Sequence, residues 1–143
     1  MTTYLKIGVS MLKNALGAYL TDYSMIDDMG IDISNIVSCK LFDKKEVNNY
    51  SSSNLQVEKI KKHLRRMEKC QCIYRGYMTS NASIHLEFID GTGKVICISS
   101  DGKYLGCSVP RSSFSYWYYL SNANIGNEIT NEVDLEDNPF KYL

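Results

Sequence analysis

Residues 58–72 read EKIKKHLRRMEKCQC and gather the chain's densest set of reactive side chains: His63, Cys70, Cys72 and six cations. Three kinds of chemistry could draw on them: metal ligation, thiol nucleophilicity and recognition of negative charge. Zinc comes first because its geometry is strict. Its ligands sit within about 4 Å of one another, held by bonds of roughly 2.0–2.3 Å. If the segment is helical, His63 and Cys70 lie about 10.5 Å apart along the axis. Cys70-x-Cys72 is also tighter than the usual Cys-x2–4-Cys spacing, and no second pair follows it. No metal site and no cofactor are expected.

Nucleophilic chemistry fares little better. The sequence contains no P-loop, no GxGxxG, no GxSxG elbow and no HExxH, and it has only two histidines. A strand reading of 84–100 sets Glu87 opposite Cys97 and His85 opposite Ser99. A carboxylate beside a thiol raises the thiol pKa, whereas a nucleophile needs it lowered. The acidic pairs Asp27-Asp28 and Glu132–Asp137 read as solvated charge, without the fixed separation that acid–base work requires. The expectation is a chain that is not an enzyme.

Recognition of charge remains. Lys59, Lys61, Lys62, Arg65, Arg66 and Lys69 fall on one half of a helical wheel. Val57, Ile60, Leu64 and Met67 form a narrow stripe on the other half, at 3-4-3 spacing. Such a helix lies on a surface, with its charged heads in water and their stems covering apolar ground. The run FSYWYYL (114–120) supplies aromatics. As a strand it turns Tyr116 and Tyr118 one way and Trp117 and Tyr119 the other, so one set is exposed or covered by another element. Tyr and Trp are frequent binding anchors and base-stacking platforms. Asn138-Pro139-Phe140 reads as a chance turn.

The surrounding elements must position these groups. A chain of 143 residues with 44% hydrophobic side chains suits one globular domain. Net charge is zero but unevenly placed. Residues 1–52 carry 5 basic and 6 acidic side chains, 53–75 carry 7 and 2, and 76–143 carry 4 and 8. A basic middle between acidic flanks argues against a general polyanion binder. No apolar run reaches the roughly 20 residues that span a bilayer. The start of the chain lacks the basic region of a signal peptide. Without that signal, five cysteines point to reduced thiols in a cytoplasmic setting.

Periodicity predicts helices over about 11–23 and 54–69, the second opened by a capping box at Ser53-x-x-Gln56. A strand is expected over 31–42, and a strand or helix start over 4–9. Residues 50–54 (YSSSN) read as a loop, and 121–143 as a loosely held acidic tail with one short element near 128–135. Successive strands are expected at 72–79, 84–89, 94–100, 103–109 and 113–120. In DGTGK (90–94), a left-handed Gly93 would pair Phe88 with Ile96. In SSDGK (99–103), a type I′ turn at Asp101-Gly102 would pair Ile98 with Leu105. Both registers share an apolar face of Ile84, Leu86, Phe88, Ile96, Ile98, Leu105, Cys107 and Val109. The expected fold is α+β: an antiparallel meander of four or five strands over about 72–120, packed with the two helices.

The function expected is non-catalytic protein binding, as in an adaptor, inhibitor or immunity-type protein that occupies an acidic partner surface. The basic face and Tyr116, Trp117, Tyr118 and Tyr119 are its candidate contacts. A nucleic-acid binder using the basic helix and nearby aromatics is the alternative. No membrane partner is expected, and the oligomeric state is open.

Overall fold

A computed structural model describes residues 23–46, 49–75, 78–108 and 115–133. The expected element at 4–9, residues 11–22 of the helix expected over 11–23, Val109 and the Asn138-Pro139-Phe140 turn lie outside the described residues; Tyr23 itself is not helical but bridges to Cys70. The class is α+β, as expected. The sheet, however, has seven antiparallel strands rather than four or five, ordered β2-β1-β4-β5-β6-β7-β3. The strands are β1 (Ile36–Glu46), β2 (Asn49–Asn54), β3 (Gln71–Arg75), β4 (Ser80–Phe88), β5 (Gly93–Ser99), β6 (Leu105–Ser108) and β7 (Ser115–Tyr119). The helices are α1 (Met25–Met29), α2 (Val57–Arg66) and α3 (Ile125–Thr130). No described helix is long and apolar enough to cross a membrane.

Local chemistry accounts for several boundaries. Ser24 caps α1 by accepting from the Asp27 N–H at 3.1 Å, and Gly30 ends it with a φ of 65°. The strand expected from 31 starts five residues later. A 3-10 turn at Ile33–Asn35 comes first, closed by Asn35 Nδ2 donating to Asp32 at 2.7 Å. Ile31 and Ile33 are still buried, so their alternation was a true burial signal carried by a turn. The YSSSN loop is in fact edge strand β2, paired with β1 from Lys40↔Asn54 to Glu46↔Asn49. Pairing overrides the poor strand preference of Ser and Asn. Ser53 therefore belongs to a strand, and the capping box does not form. Helix α2 starts at Val57 behind Gln56, whose side chain makes no cap hydrogen bond. It stops at Arg66: Met67 leaves the helical conformation, with a φ of −83° and a ψ of 1°, and Cys70 joins a bridge with Tyr23.

The two hairpins separate what turn chemistry decides from what it leaves open. The Asp101-Gly102 hairpin has the expected register, Ile98↔Leu105, with Cys97 opposite Gly106. Its loop is longer than a type I′ turn: Ser99 N–H donates to Tyr104 O, and Gly102 N–H donates to Ser99 O. In the preceding hairpin, Gly91 rather than Gly93 takes the left-handed conformation, with a φ of 86°. The Asp90 carboxylate holds that turn by accepting from Thr92 N at 3.0 Å and Thr92 Oγ1 at 2.6 Å. Ile96 consequently faces Ile84 rather than Phe88. The slip is an even number of residues, so the same side chains stay on the buried face.

β3 does not join β4, the strand that follows it. It pairs with β7 at the far edge of the sheet. Antiparallel alternation across β4-β5-β6-β7-β3 makes β3 and β4 run in the same direction, which no short hairpin allows. Five residue steps from Arg75 to Ser80 reach at most about 18 Å. Four strand spacings of a flat sheet already measure about 19 Å. The sheet therefore coils, bringing β3 back toward β4.

The core lies on one face of this coiled sheet. Ile60, Leu64 and Met67 of the α2 stripe are fully buried against strand residues that include Leu41, Ile84, Ile96 and Leu105. Met25 and Ile26 of α1 and Ile125 and Ile129 of α3 complete the same cluster.

Candidate partner-binding surface on helix α2

The α2 stripe fixes which cations point outward, and α3 then claims part of them. Arg66 forms a two-pronged pair with Glu128, Nη1 to Oε1 at 3.2 Å and Nη2 to Oε2 at 3.3 Å. Arg66 Nη1 also lies 3.2 Å from His63 Nδ1, and His63 Nε2 lies 3.2 Å from Glu132 Oε1. A guanidinium only donates, so Nδ1 accepts and Nε2–H donates to the carboxylate. Lys59 reaches the other Glu132 oxygen at 3.5 Å. Lys61 is mostly covered and pairs with Glu58 at 3.4 Å. Single exposed pairs contribute about 0.2–1 kcal/mol, so burial of Ile125 and Ile129 seats α3 while the charges set its orientation.

This network engages Glu132, read from the sequence as solvated charge, and holds the part of the acidic C-terminal segment where one short element was expected. Over 125–133 it is a helix and its exit, docked on α2 and on the turn at 99–104, where Asn127 N–H donates to Gly102 O at 3.1 Å. Asp28 is likewise engaged, accepting from the Tyr118 hydroxyl at 2.9 Å. Burial raises the Glu132 pKa, but the His63 hydrogen bond and the Lys59 charge outweigh it, and the net shift is downward. The folded state therefore favours ionised Glu132. Its contribution is present above the ordinary carboxylate range and is lost as pH falls through the lowered pKa. Glu132→Gln should accordingly be less stable than the parent near neutrality and converge with it in acid. Urea unfolding of both proteins across that range checks this; a gap independent of pH would contradict it.

Three of the six cations are left outside these pairs. Lys62 and Arg65 form an exposed i, i+3 ridge on α2, and Lys69 is exposed just past its end. Among the described residues none of the three has an ion pair.

The other sequence candidates are placed differently. Trp117 and Tyr118 are buried, at 4% and 3% exposure, which removes them from any surface. Tyr116 packs against the core. Tyr119 is half-exposed, edge-on to Tyr104 at 5.3 Å, beside a shallow depression of about 290 Å³ that Lys103 and Asn124 also line. The Cys–Glu–His grouping is not assembled, because Cys97 faces Ser83 and His85 faces Val95. Burial pushes the thiols of Cys39 and Cys70 up to about 11 and raises that of Cys97. Burial also lowers the pKa of His85, whose ring lies 4.1 Å from that of Phe42. Among the described residues no three His, Cys, Asp or Glu side chains come together as a metal site.

No protein-family model matches the chain, and neither a curated protein nor a solved structure is significantly similar to it. The functional case therefore rests on the chain's own residues. Sequence reasoning missed His63, Glu128 and Glu132 as a unit. The available signal was complementary spacing: carboxylates at i, i+4 opposite Lys59, His63 and Arg66 at i, i+4, i+7.

Proposed function

We propose that this chain is a non-catalytic protein-binding domain of the adaptor, inhibitor or immunity type. It acts by laying the ridge of Lys62 and Arg65, extended by Lys69, on an acidic partner surface. The observation that carries this reading is that these cations stand unpaired, among the described residues, on and just past the end of a helix fixed from two sides. The buried stripe holds α2 from below and the α3 charge network holds its flank. A preorganised charged ridge loses little freedom on binding, and rim charges of this kind mainly accelerate association. Four free cysteines among the described residues, three of them buried, suit a reducing cytoplasm.

Nucleic-acid binding is the second reading, favoured by the same ridge. Three free cations in place of six, and a buried Trp117, leave it fewer phosphate contacts and no stacking platform on this face. A fluorescence-anisotropy titration with random duplex DNA at 150 mM salt separates the two readings. Binding no tighter than about 10⁻⁶ M, the upper end of ordinary non-specific contact, is the expected result. Tighter binding with a steep salt slope would move the assignment to nucleic acid.

A further inference from the structure

The sheet face turned away from α2 carries a second ordered pattern. Lys40, His85 and Val95 lie side by side across β1, β4 and β5. Phe42, Ser83 and Cys97 form the next row on one side, and Ser38, Glu87 and Gly93 the row on the other. Val95 is 46% exposed, Lys40 and Glu87 are exposed, and the Phe42 and His85 rings are only half-buried. Lys40 and Glu87 are diagonal neighbours, at a typical separation of roughly 7–8 Å. Neither has an ion-pair partner among the described residues.

We propose that this face is the interface of a symmetric dimer, in which Lys40 of each protomer pairs with Glu87 of the other across a centre formed by His85 and Val95. The charge pattern selects a second copy over other occupants. The patch holds one unpaired cation and one unpaired anion, so a uniformly acidic or basic partner would leave one of them facing like charge. A two-fold axis between the stacked sheets, passing between Lys40 and Glu87, sets each over the other's copy and satisfies both at once. That axis also runs close to His85 and Val95, so the exposed apolar ground meets itself. Two sheets stacked in this way sit about 10 Å apart, close enough for these side chains to meet. Because α2 packs on the opposite face, the dimer leaves both Lys62–Arg65 ridges open. The two proposals therefore stand or fall separately.

Sedimentation velocity over a concentration series tests the proposal with four proteins: the parent, Lys40→Glu, Glu87→Lys and the double exchange. The parent should be a dimer. Each single reversal sets like charges against each other twice per interface and should weaken self-association at least about tenfold. Combining the two restores opposite charges and should bring the dissociation constant back to within about threefold of the parent. Both residues are exposed, so circular dichroism should show the same fold throughout. A parent that stays monomeric at about 100 μM, a concentration far above a micromolar dissociation constant, would overturn the proposal. So would single reversals that leave the dimer unchanged, or a double exchange that fails to rescue it.

Discussion

Replacing Leu64 with alanine should destabilise the domain by about 2–5 kcal/mol, the range for a fully buried leucine whose cavity cannot collapse. Leu64 has no exposed surface and sits in the middle of the α2 stripe, between Ile60 and Met67, which are equally buried. The same stripe packs against the sheet, against α1 and against α3, so the cavity would open where the layers meet. A domain of this size has about 5–15 kcal/mol in total, which makes the loss easy to see as a fall in the urea midpoint. Trp117 is the only tryptophan and is buried, so its emission reports the transition. A loss below about 1 kcal/mol would mean that α2 is not seated as described, since even surface substitutions reach about 0.5 kcal/mol.

The second large effect concerns Gly106. A methyl group there would lie 2.6 Å from Trp117 Cε3 and 2.7 Å from the Tyr116 carbonyl oxygen. One neighbour is a rigid indole and the other is backbone, so neither can yield cheaply. Overpacking of this kind costs about 1–3 kcal/mol, occasionally more, and Gly106→Ala should fall in or above that range. Trimming the indole should recover part of the loss. Trp117→Leu and Gly106→Ala together should therefore be less destabilising than the sum of the two singles, measured by circular dichroism. Strict additivity would show that the close approach of Gly106 and Trp117 is absent.

The limits of sequence reading here follow from which interactions are local. Helix α2 was legible because Val57, Ile60, Leu64 and Met67 repeat at its own period, and three of these four are fully buried. Ile98↔Leu105 was legible because one Asp-Gly admits few loop geometries. The β4–β5 register was not, because Gly91 and Gly93 both fit a left-handed turn residue. The decision came from Asp90 bonding Thr92. β2 was missed because Ser and Asn carry no strand signal of their own and depend on β1 for pairing. The distant placement of β3 was missed because neighbours in sequence usually pair, and nothing near 71–75 encodes β7 as its partner. The candidate surface was half legible. The six cations were found from the sequence, but which of them are free depends largely on Glu128 and Glu132, about 62–73 positions away.

The central claim is that the free part of the α2 ridge recognises a protein, and affinity capture from nuclease-treated lysate tests it most directly. The bait should be the intact chain, compared with a variant carrying Lys62→Glu and Arg65→Glu. Both substitutions fall on exposed residues that take no part in the α3 network, so the fold is retained. Arg66 is left alone because its reversal would break the Glu128 pair. The account predicts an acidic protein that survives nuclease, is retained by the parent and is lost by the variant. Captured proteins that disappear with nuclease, or that bind parent and variant equally, would contradict it.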